Sequence, residues 1–450
     1  MPEITRRRFV TVSAQSAAAL AAASTVSDPK PARALSANDK VVLALIGAGG
    51  RGSSLIANMT SLENVETKYV CDVNAARGGG TINNLEKIQG YAPKRVVEMR
   101  EVFDDKDVDA VVVATPEHWH ALATVRACQA EKDVYVEKNI SLTIWESRKM
   151  IEAAQKYKRV VQCGTQNRSA PYGFSARDYI ASGKLCKVVL VKMYNMLPGG
   201  GFAPQPDGAP PAGLDWDKWL GPAPERPYNP GRMRWYNWWD YSGGGSMAGD
   251  ASHVFDLARM VIGDPPHPKA VYCAGGRLAH DDQCEIPDMQ AVTYDFADFT
   301  VTADVTSFPP YMKKSQGDVR FGDKFPFWSQ NATRIEIYGT KRMMYVGRHG
   351  GGWQVLERDG KVADQEFGYF PDKWHQPNFI DCVRSRQTPN GNIEQGHLSA
   401  SLVHLANVAY RTGNRRLQFD PQTETFVGND EANAYLRPAY RKHYRIPDDV

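Results

Sequence analysis

One stretch near the start constrains this chain more than any other: a continuously apolar run, Val41 to Ile46, that ends in Gly47-Ala48-Gly49-Gly50-Arg51-Gly52 and passes into a helical segment. An unbroken apolar run of this length, bounded by glycines, reads as a strand buried on both faces, as in a parallel sheet covered by helices. In the G-x-G-x-x-G spacing Gly47 permits the tight turn, Gly49 lets backbone approach a pyrophosphate, and Gly52 allows close helix–strand packing. The helix N-terminus then faces the phosphates. Glycine-rich turns are common, so the loop alone decides little. It is answered by a second strand, Thr67 to Cys71, that ends at Asp72. An acidic group there accepts hydrogen bonds from ribose hydroxyls and repels a 2′-phosphate, so NAD is the expected cofactor. Arg77 nearby keeps NADP as a second reading.

Strand and helix patterns continue to alternate. Asp109 to Ala114 runs into Thr115-Pro116-Glu117-His118-Trp119-His120, and Asp133 to Val136 into Glu137-Lys138-Asn139. Both are carboxyl ends of strands, where open α/β sheets bind ligands. A lysine there can hydrogen-bond a hydroxyl and stabilise negative charge as its proton leaves; standing alone, Lys138 would read as a surface side chain.

Taken together, the glycine loop, Asp72, the Ala-Thr-Pro-x-x-x-His run (Ala114 to His120), Glu137-Lys138 and Gly164-Thr165-Gln166-Asn167-Arg168 resemble the glucose–fructose oxidoreductase / inositol dehydrogenase / MocA family. The resemblance spans most of residues 40 to 440. It implies an α/β chain: an N-terminal Rossmann domain with a doubly wound parallel sheet, then an α+β domain with a large, mostly antiparallel open sheet. The lysine of the family's Glu-Lys-Pro motif, its catalytic and nicotinamide-contacting residue, maps onto Lys138, with Asn139 where proline is usual. The family's second active-site motif puts its histidine at His253. Inositol-dehydrogenase-like members carry an aspartate four residues before that histidine; here that position is Gly249. Asp250 either replaces it from one position on or caps the helix.

The expected division is an export signal over 1–34, an NAD-binding domain over 38–166, and an α+β domain for substrate binding and oligomerisation over 167–440. The cofactor set is Gly47, Gly49, Gly50, Arg51, Gly52, Asp72, Thr115, Pro116, His120, Glu137, Lys138 and Gln166. The catalytic set is Lys138, His253 and Asp250. Substrate contacts are expected from Arg168, Tyr194, Trp235, Tyr236, Trp238 and His253, and no metal ligands are assigned. The aromatic faces of Trp235 to Tyr241 suit the C–H faces of sugar rings, and equally suit a packing plug or subunit contact. Asp250, His253 and Asp256 follow at i, i+3 and i+6; a histidine can relay a proton from a hydroxyl, while Asp256 is expected to brace a loop or an arginine. Strands near 269–278, 289–297, 299–308 and 332–338 read as a meander, and helices near 374–386 and 395–411 return across the structure.

Thr5-Arg6-Arg7-Arg8-Phe9 before an Ala/Ser-rich stretch, with Ala32-Arg33-Ala34 beyond it, reads as a twin-arginine signal and places the protein in the periplasm or otherwise exported. Five of the 54 basic and two of the 51 acidic side chains lie in residues 1–34, so the remainder carries no net charge and no basic surplus for nucleic acid. Beyond the leader no apolar run is long enough to span a membrane. Seven scattered cysteines without metal or redox spacing read as buried thiols. The expected activity is NAD-dependent oxidation of a sugar, glycoside or cyclitol hydroxyl, with a tightly held cofactor recycled in the site. Two alternatives stand beside it: a redox glycosidase that oxidises, eliminates, adds water and reduces back, and a non-catalytic NAD-binding sensor. The partners expected are a small carbohydrate and, through the C-terminal sheet, a homodimer or homotetramer.

Overall fold

A computed structural model describes residues 39–201, 203–308 and 311–450; the expected export leader lies outside these residues. Val41–Val450 form one compact body built on two sheets.

The first sheet has six parallel strands, β1 (Val41–Ile46), β2 (Val65–Cys71), β3 (Lys94–Val96), β4 (Ala110–Val113), β5 (Asp133–Val136) and β6 (Val161–Cys163). Their spatial order, β3-β2-β1-β4-β5-β6, is that of the doubly wound dinucleotide fold, with its switch point between β1 and β4. All six residues of β1 are buried, because the strand has an apolar layer on each side. Ala44 and Ile46 face one core, Val41, Leu43 and Leu45 the other, the alternation a strand imposes. Four helices follow the early strands: α1 (Gly50–Thr60), α2 (Gly79–Gln89), α3 (His120–Gln129) and α4 (Ile144–Lys156). Further helices are α5 (Pro171–Ala181), α6 (Ser252–Val261), α7 (Asp372–Ser385) and α8 (Ile393–Arg411). Phe379 and Ile380 of α7 complete the core that Leu55 and Ile56 of α1 begin, so the chain's late helix closes over its first sheet.

The second sheet has ten strands: β7 (Val188–Leu197), β8 (Ala270–Gly276), β9 (Met289–Asp295), β10 (Thr300–Ser307), β11 (Arg334–Gly339), β12 (Met343–Gly347), β13 (Trp353–Leu356), β14 (Val362–Glu366), β15 (Leu417–Asp420) and β16 (Thr425–Phe426). Their order is β14-β13-β12-β11-β7-β10-β9-β8-β15-β16, antiparallel except where β7 runs beside β10. One face packs α5, α6 and α8 through Val191, Met193, Val254, Leu257 and Leu405.

Of the meander expected from sequence, β8, β9 and β10 pair in succession, but β7 is inserted between β10 and β11 and runs parallel to β10, so the last strand does not pair with the third. The hairpins after it, β12 to β14, were not expected. Their signal is weak for a physical reason: Gly350, Gly351 and Gly352 interrupt the run, and β14 is solvent-facing with no apolar alternation. Six cysteines are buried as expected, but Cys186 is exposed, in a left-handed turn before β7.

Candidate active site

The glycine loop behaves as its spacing demands. Gly47 sits at φ +94°, and a Cβ there would lie 2.7 Å from the Ala114 carbonyl carbon; one on Gly52 would lie 2.2 Å from Gly47 O. Gly49 caps α1 without a side-chain bond, and above Gly50 nothing lies within 4 Å of a Cβ position. The start of α1 lines the cleft at Gly49 and Gly50, where the first N–H groups of a helix are left to bind phosphate. Asp72 accepts from Ala48 N and Asn74 N, both at 2.8 Å, so the carboxylate also pins the loop it serves. A cleft of about 1120 Å³ is lined by Gly47, Gly49, Arg51, Asp72, Thr115 and Pro116, with Trp219 and Trp235 among its further walls. Thr115 Oγ1 is buried without a partner. These residues fit a bound dinucleotide.

Arg51 links this cleft to a second cluster. Its Nε donates to Glu137 Oε1 and its Nη1 to Asp372 at the start of α7, each at 3.1 Å. Next to Glu137, Lys138 donates from Nζ to Gly249 O at 2.9 Å; the Lys138–Asn139 peptide is cis. Gly249 lies in a wide turn, Met247–Ala251, where its φ −68°, ψ −105° interrupts the helical run before α6. Ser252 Oγ donates to the same carbonyl at 2.8 Å. His253, one residue on, is buried with Nδ1 unpartnered among the described residues. Burial, then the charges of Arg348 and Lys138, hold its pKa well below the ordinary value, so the ring is neutral and free to accept a proton or a hydrogen bond.

Asp250 is not a helix cap. It meets Lys314 Nζ in a short contact, and Arg348 Nη2 lies 3.5 Å from its Oδ1. Burial pushes the carboxyl up, but Arg348 and Lys314 outweigh it and keep it ionised well below the usual carboxylate range.

Some expected contacts are displaced. Arg168 is buried, with Nε on Asp256 at 2.6 Å and both Nη groups on Asp264, so it braces α6 and does not reach for substrate. That arrangement gives Asp256 the bracing place expected of it. Tyr194 lies under the Arg334 guanidinium, 3.8 Å from its ring centre, on the sheet face opposite Val191, Met193 and α6. Strand alternation puts it away from His253. Its neighbour Asn195 takes the buried face, and both of its amide atoms lack partners. Trp238 is packed in a satellite core and donates to Gly231 O at 3.0 Å; Tyr236 is half exposed, and only Trp235 of the three lines the cleft. The aromatic run is mainly a plug. Trp219 O receives Trp119 Nε1 at 3.1 Å and lies 2.9 Å from His118 Nε2, tying the plug to the strand-end loop. His120 is likewise spent on backbone: its nitrogens lie 2.6 Å from Asn139 O and 2.8 Å from Thr115 O. Gln166 Nε2 stays 3.5 Å from Glu137 Oε1.

Other residues were not singled out from sequence. Glu117 is fully buried and accepts from Asn139 N at 3.3 Å, Ser242 Oγ at 3.1 Å and Gly243 N at 2.6 Å. It straps the Lys138 turn to the glycine turn that leads to His253. Arg348 and Lys314 arrive from segments with no motif. His267, His397 and Glu424 also converge, yet Arg148 Nη2 bonds His397 and Glu424 in their midst, an ion-pair arrangement.

Against known proteins, residues 41–165 match the oxidoreductase family model with an NAD-binding Rossmann fold, 218–345 the GFO/IDH/MocA C-terminal domain, and 339–446 the oxidoreductase family C-terminal alpha/beta domain. The chain belongs to the Gfo/Idh/MocA oxidoreductase family. Its first 120 or so described residues are therefore an NAD-binding unit. Relatives of this Gfo/Idh/MocA chain include the uncharacterized oxidoreductase YrbE of Bacillus subtilis, 21% identical over 67% of this chain and 72% of its own length. An alpha-N-acetylgalactosaminidase of Shewanella oneidensis is 29% identical, over 26% of this chain and only 27% of its own length. Among solved structures, the WlbA dehydrogenase of Bordetella pertussis, in complex with NADH and UDP-GlcNAcA, superimposes with a TM-score of 0.60 at 18% identity, covering 85% of this chain and 98% of that one. That likeness speaks for the fold.

Proposed function

We propose that this Gfo/Idh/MocA protein oxidises a CH–OH group of a sugar, glycoside or cyclitol, with Lys138 and His253 as its catalytic residues. The observation that carries this reading is that Lys138 is anchored on Gly249 O, in the turn that opens the helix of His253, and is joined to the cofactor cleft through Glu137 and Arg51. When bound, NAD supplies the two-electron acceptor for the hydrogen on carbon. The hydroxyl proton passes to the His253 ring, which burial and neighbouring cations keep unprotonated. Lys138, anchored on Gly249 O, stabilises the oxygen as it loses that proton. Asp250 sets the local charge by holding Lys314 and Arg348. The substrate becomes a ketone or lactone as NADH and one proton form. The test is turnover of NAD⁺ by the full chain against a panel of sugars, glycosides and cyclitols. NADH formation with none of them overturns the reading.

The galactosaminidase relative favours a second reading, in which oxidation opens a cycle of elimination, water addition and re-reduction. Product analysis separates the two: a cleaved glycoside with no net NADH points to the glycosidase, a released keto-sugar to the dehydrogenase.

The remaining readings concern setting. Residues 1–34 direct twin-arginine export, which unchanged export of an Arg6→Lys/Arg7→Lys variant overturns. Export would favour a tightly held, recycled NAD, read by mass spectrometry of the purified protein's nucleotide. The sheet face carrying Tyr194 and Tyr338 forms a homo-oligomer contact, which a monomeric mass by light scattering contradicts.

A further inference from the structure

We propose that the wall of the site formed by Arg348, Arg320 and Lys314 is a subsite for an anionic substituent of the substrate, a carboxylate or a phosphate. This rests on reading the site as that of a carbohydrate oxidoreductase, and it narrows the substrate to acidic or phosphorylated sugars.

Arg348 directly follows β12, and its side chain is only 5% exposed. Its Nε has no partner among the described residues, and its one ion pair is the long 3.5 Å approach to Asp250. Arg320 repeats the pattern: its Nε is buried and unpartnered among the described residues. The two guanidinium groups share one aromatic platform, Phe370, at 5.6 and 5.3 Å from the ring centre, and His349 stacks on the same ring. A ring that holds both guanidinium groups fixes the planes of their donors.

The local charge does not balance. Arg348, Lys314 and Lys138 stand around one carboxylate, Asp250, and Arg320 stands beside Arg348. The nearby acids Glu137 and Asp372 both hold Arg51. Counting Glu117, buried beside the Lys138 turn, five cations face four carboxylates, and the surplus falls on the pair Arg348 and Arg320. Unpaired charge there is strongly unfavourable, and an anion closes the account. His349 adds no charge, since burial and Arg348 hold it neutral. An alkoxide formed at Lys138 and His253 answers one charge transiently, but leaves the Nε groups of Arg348 and Arg320 as they are. A guanidinium with a free edge matches a carboxylate or phosphate with two parallel hydrogen bonds. Arg348 approaches Asp250, three residues before His253 in the turn that leads into its helix, so the anion would sit within the same substrate that His253 deprotonates.

The experiment compares matched triplets in the gluco, galacto and manno series: the neutral aldose, its uronate and its 6-phosphate. NADH formation is measured with the full chain, and binding to the NAD-loaded protein by calorimetry. The uronate or the phosphate of at least one series should bind at least about tenfold tighter than its neutral partner, and which of the two wins identifies the anion. Arg348→Met should bring that ratio to within about twofold, and Lys314→Gln, at a lysine whose side chain is 40% exposed, should reduce it in the same direction. Affinity for NAD should stay unchanged in both. Neutral sugars bound and oxidised as well as their acids overturn the subsite and leave the oxidoreductase reading standing. Acids that bind through Arg348 without being oxidised in any series do the reverse. Binding by none of the nine sugars overturns the subsite.

Discussion

Lys138 and His253 come from parts of the chain more than a hundred residues apart, yet Lys138 is anchored on Gly249 O, in the turn that leads into the helix bearing His253, and its charge bears on that ring. Replacing either by alanine should lower turnover by at least about 10²-fold, the scale of a positioned proton-transfer group, while nucleotide stays bound because the glycine loop and Asp72 are untouched. Steady-state kinetics with nucleotide quantified in the same preparations checks this. A normal rate in His253→Ala removes the histidine from the mechanism. The pH profile is a second check. The pKa of His253 is depressed, so its neutral, proton-accepting form is already complete at pH values where an ordinary histidine is half protonated. The acid limb of kcat/KM should therefore lie well below about 6.5, and a limb near 6.5 that disappears in His253→Ala would contradict the assignment. At this scale the sequence singles out Lys138, His253, Asp72 and the glycines, because each sits in a local motif. It misplaced Arg168, whose partners lie 88 and 96 residues away, and it had no signal for Arg348, Lys314 or the buried Glu117. Their roles are created by tertiary approach alone.

Among the elements, the turn between β1 and α1 is the most tightly specified. A methyl group on Gly52 would collide with Gly47 O, part of the rigid backbone of the loop, whereas one on Gly50 meets nothing. Gly52→Ala should lower the melting temperature of nucleotide-free protein and weaken NAD binding at least about tenfold. Gly50→Ala should leave the melting temperature unchanged or raise it slightly, by the gain of about 0.4–1 kcal/mol expected where alanine fits the native backbone. Thermal melts of the two variants side by side decide it; equal destabilisation would mean that the close approach at Gly52 is not what fixes the loop. The buried strands of the first sheet were legible because two apolar layers leave a continuous apolar run. Strands β12 to β14 were not, since glycines at positive φ and an exposed edge erase the alternation.

Across the whole molecule, several histidines are buried in the neutral form. Burial lowers His118 and His375 to about 4, and His267 and His404 to about 3. In the unfolded chain each titrates near 6.5, so below that pH the unfolded state takes up protons the folded state refuses. Stability is then full above about 6.5 and falls as pH drops toward the folded values, by about 1.4 kcal/mol per pH unit for each group. The melting temperature should decline steeply between about pH 6.5 and 5, and a flat profile over that interval would show that these rings are protonated in the fold.

The Glu117 strap has one more consequence. It ties the turn bearing Lys138 to the turn feeding α6, so the chemical end of the site is a single braced unit supplied by the Rossmann edge and one helix. Arg348, Arg320 and Lys314 hang instead on β12 and the loops beside β11, outside that brace. Selection can therefore rewrite the far wall, residue by residue, without disturbing the machinery that moves the proton. In a lineage built this way, changes of diet should be recorded on the sheet margin, with the strap inherited intact.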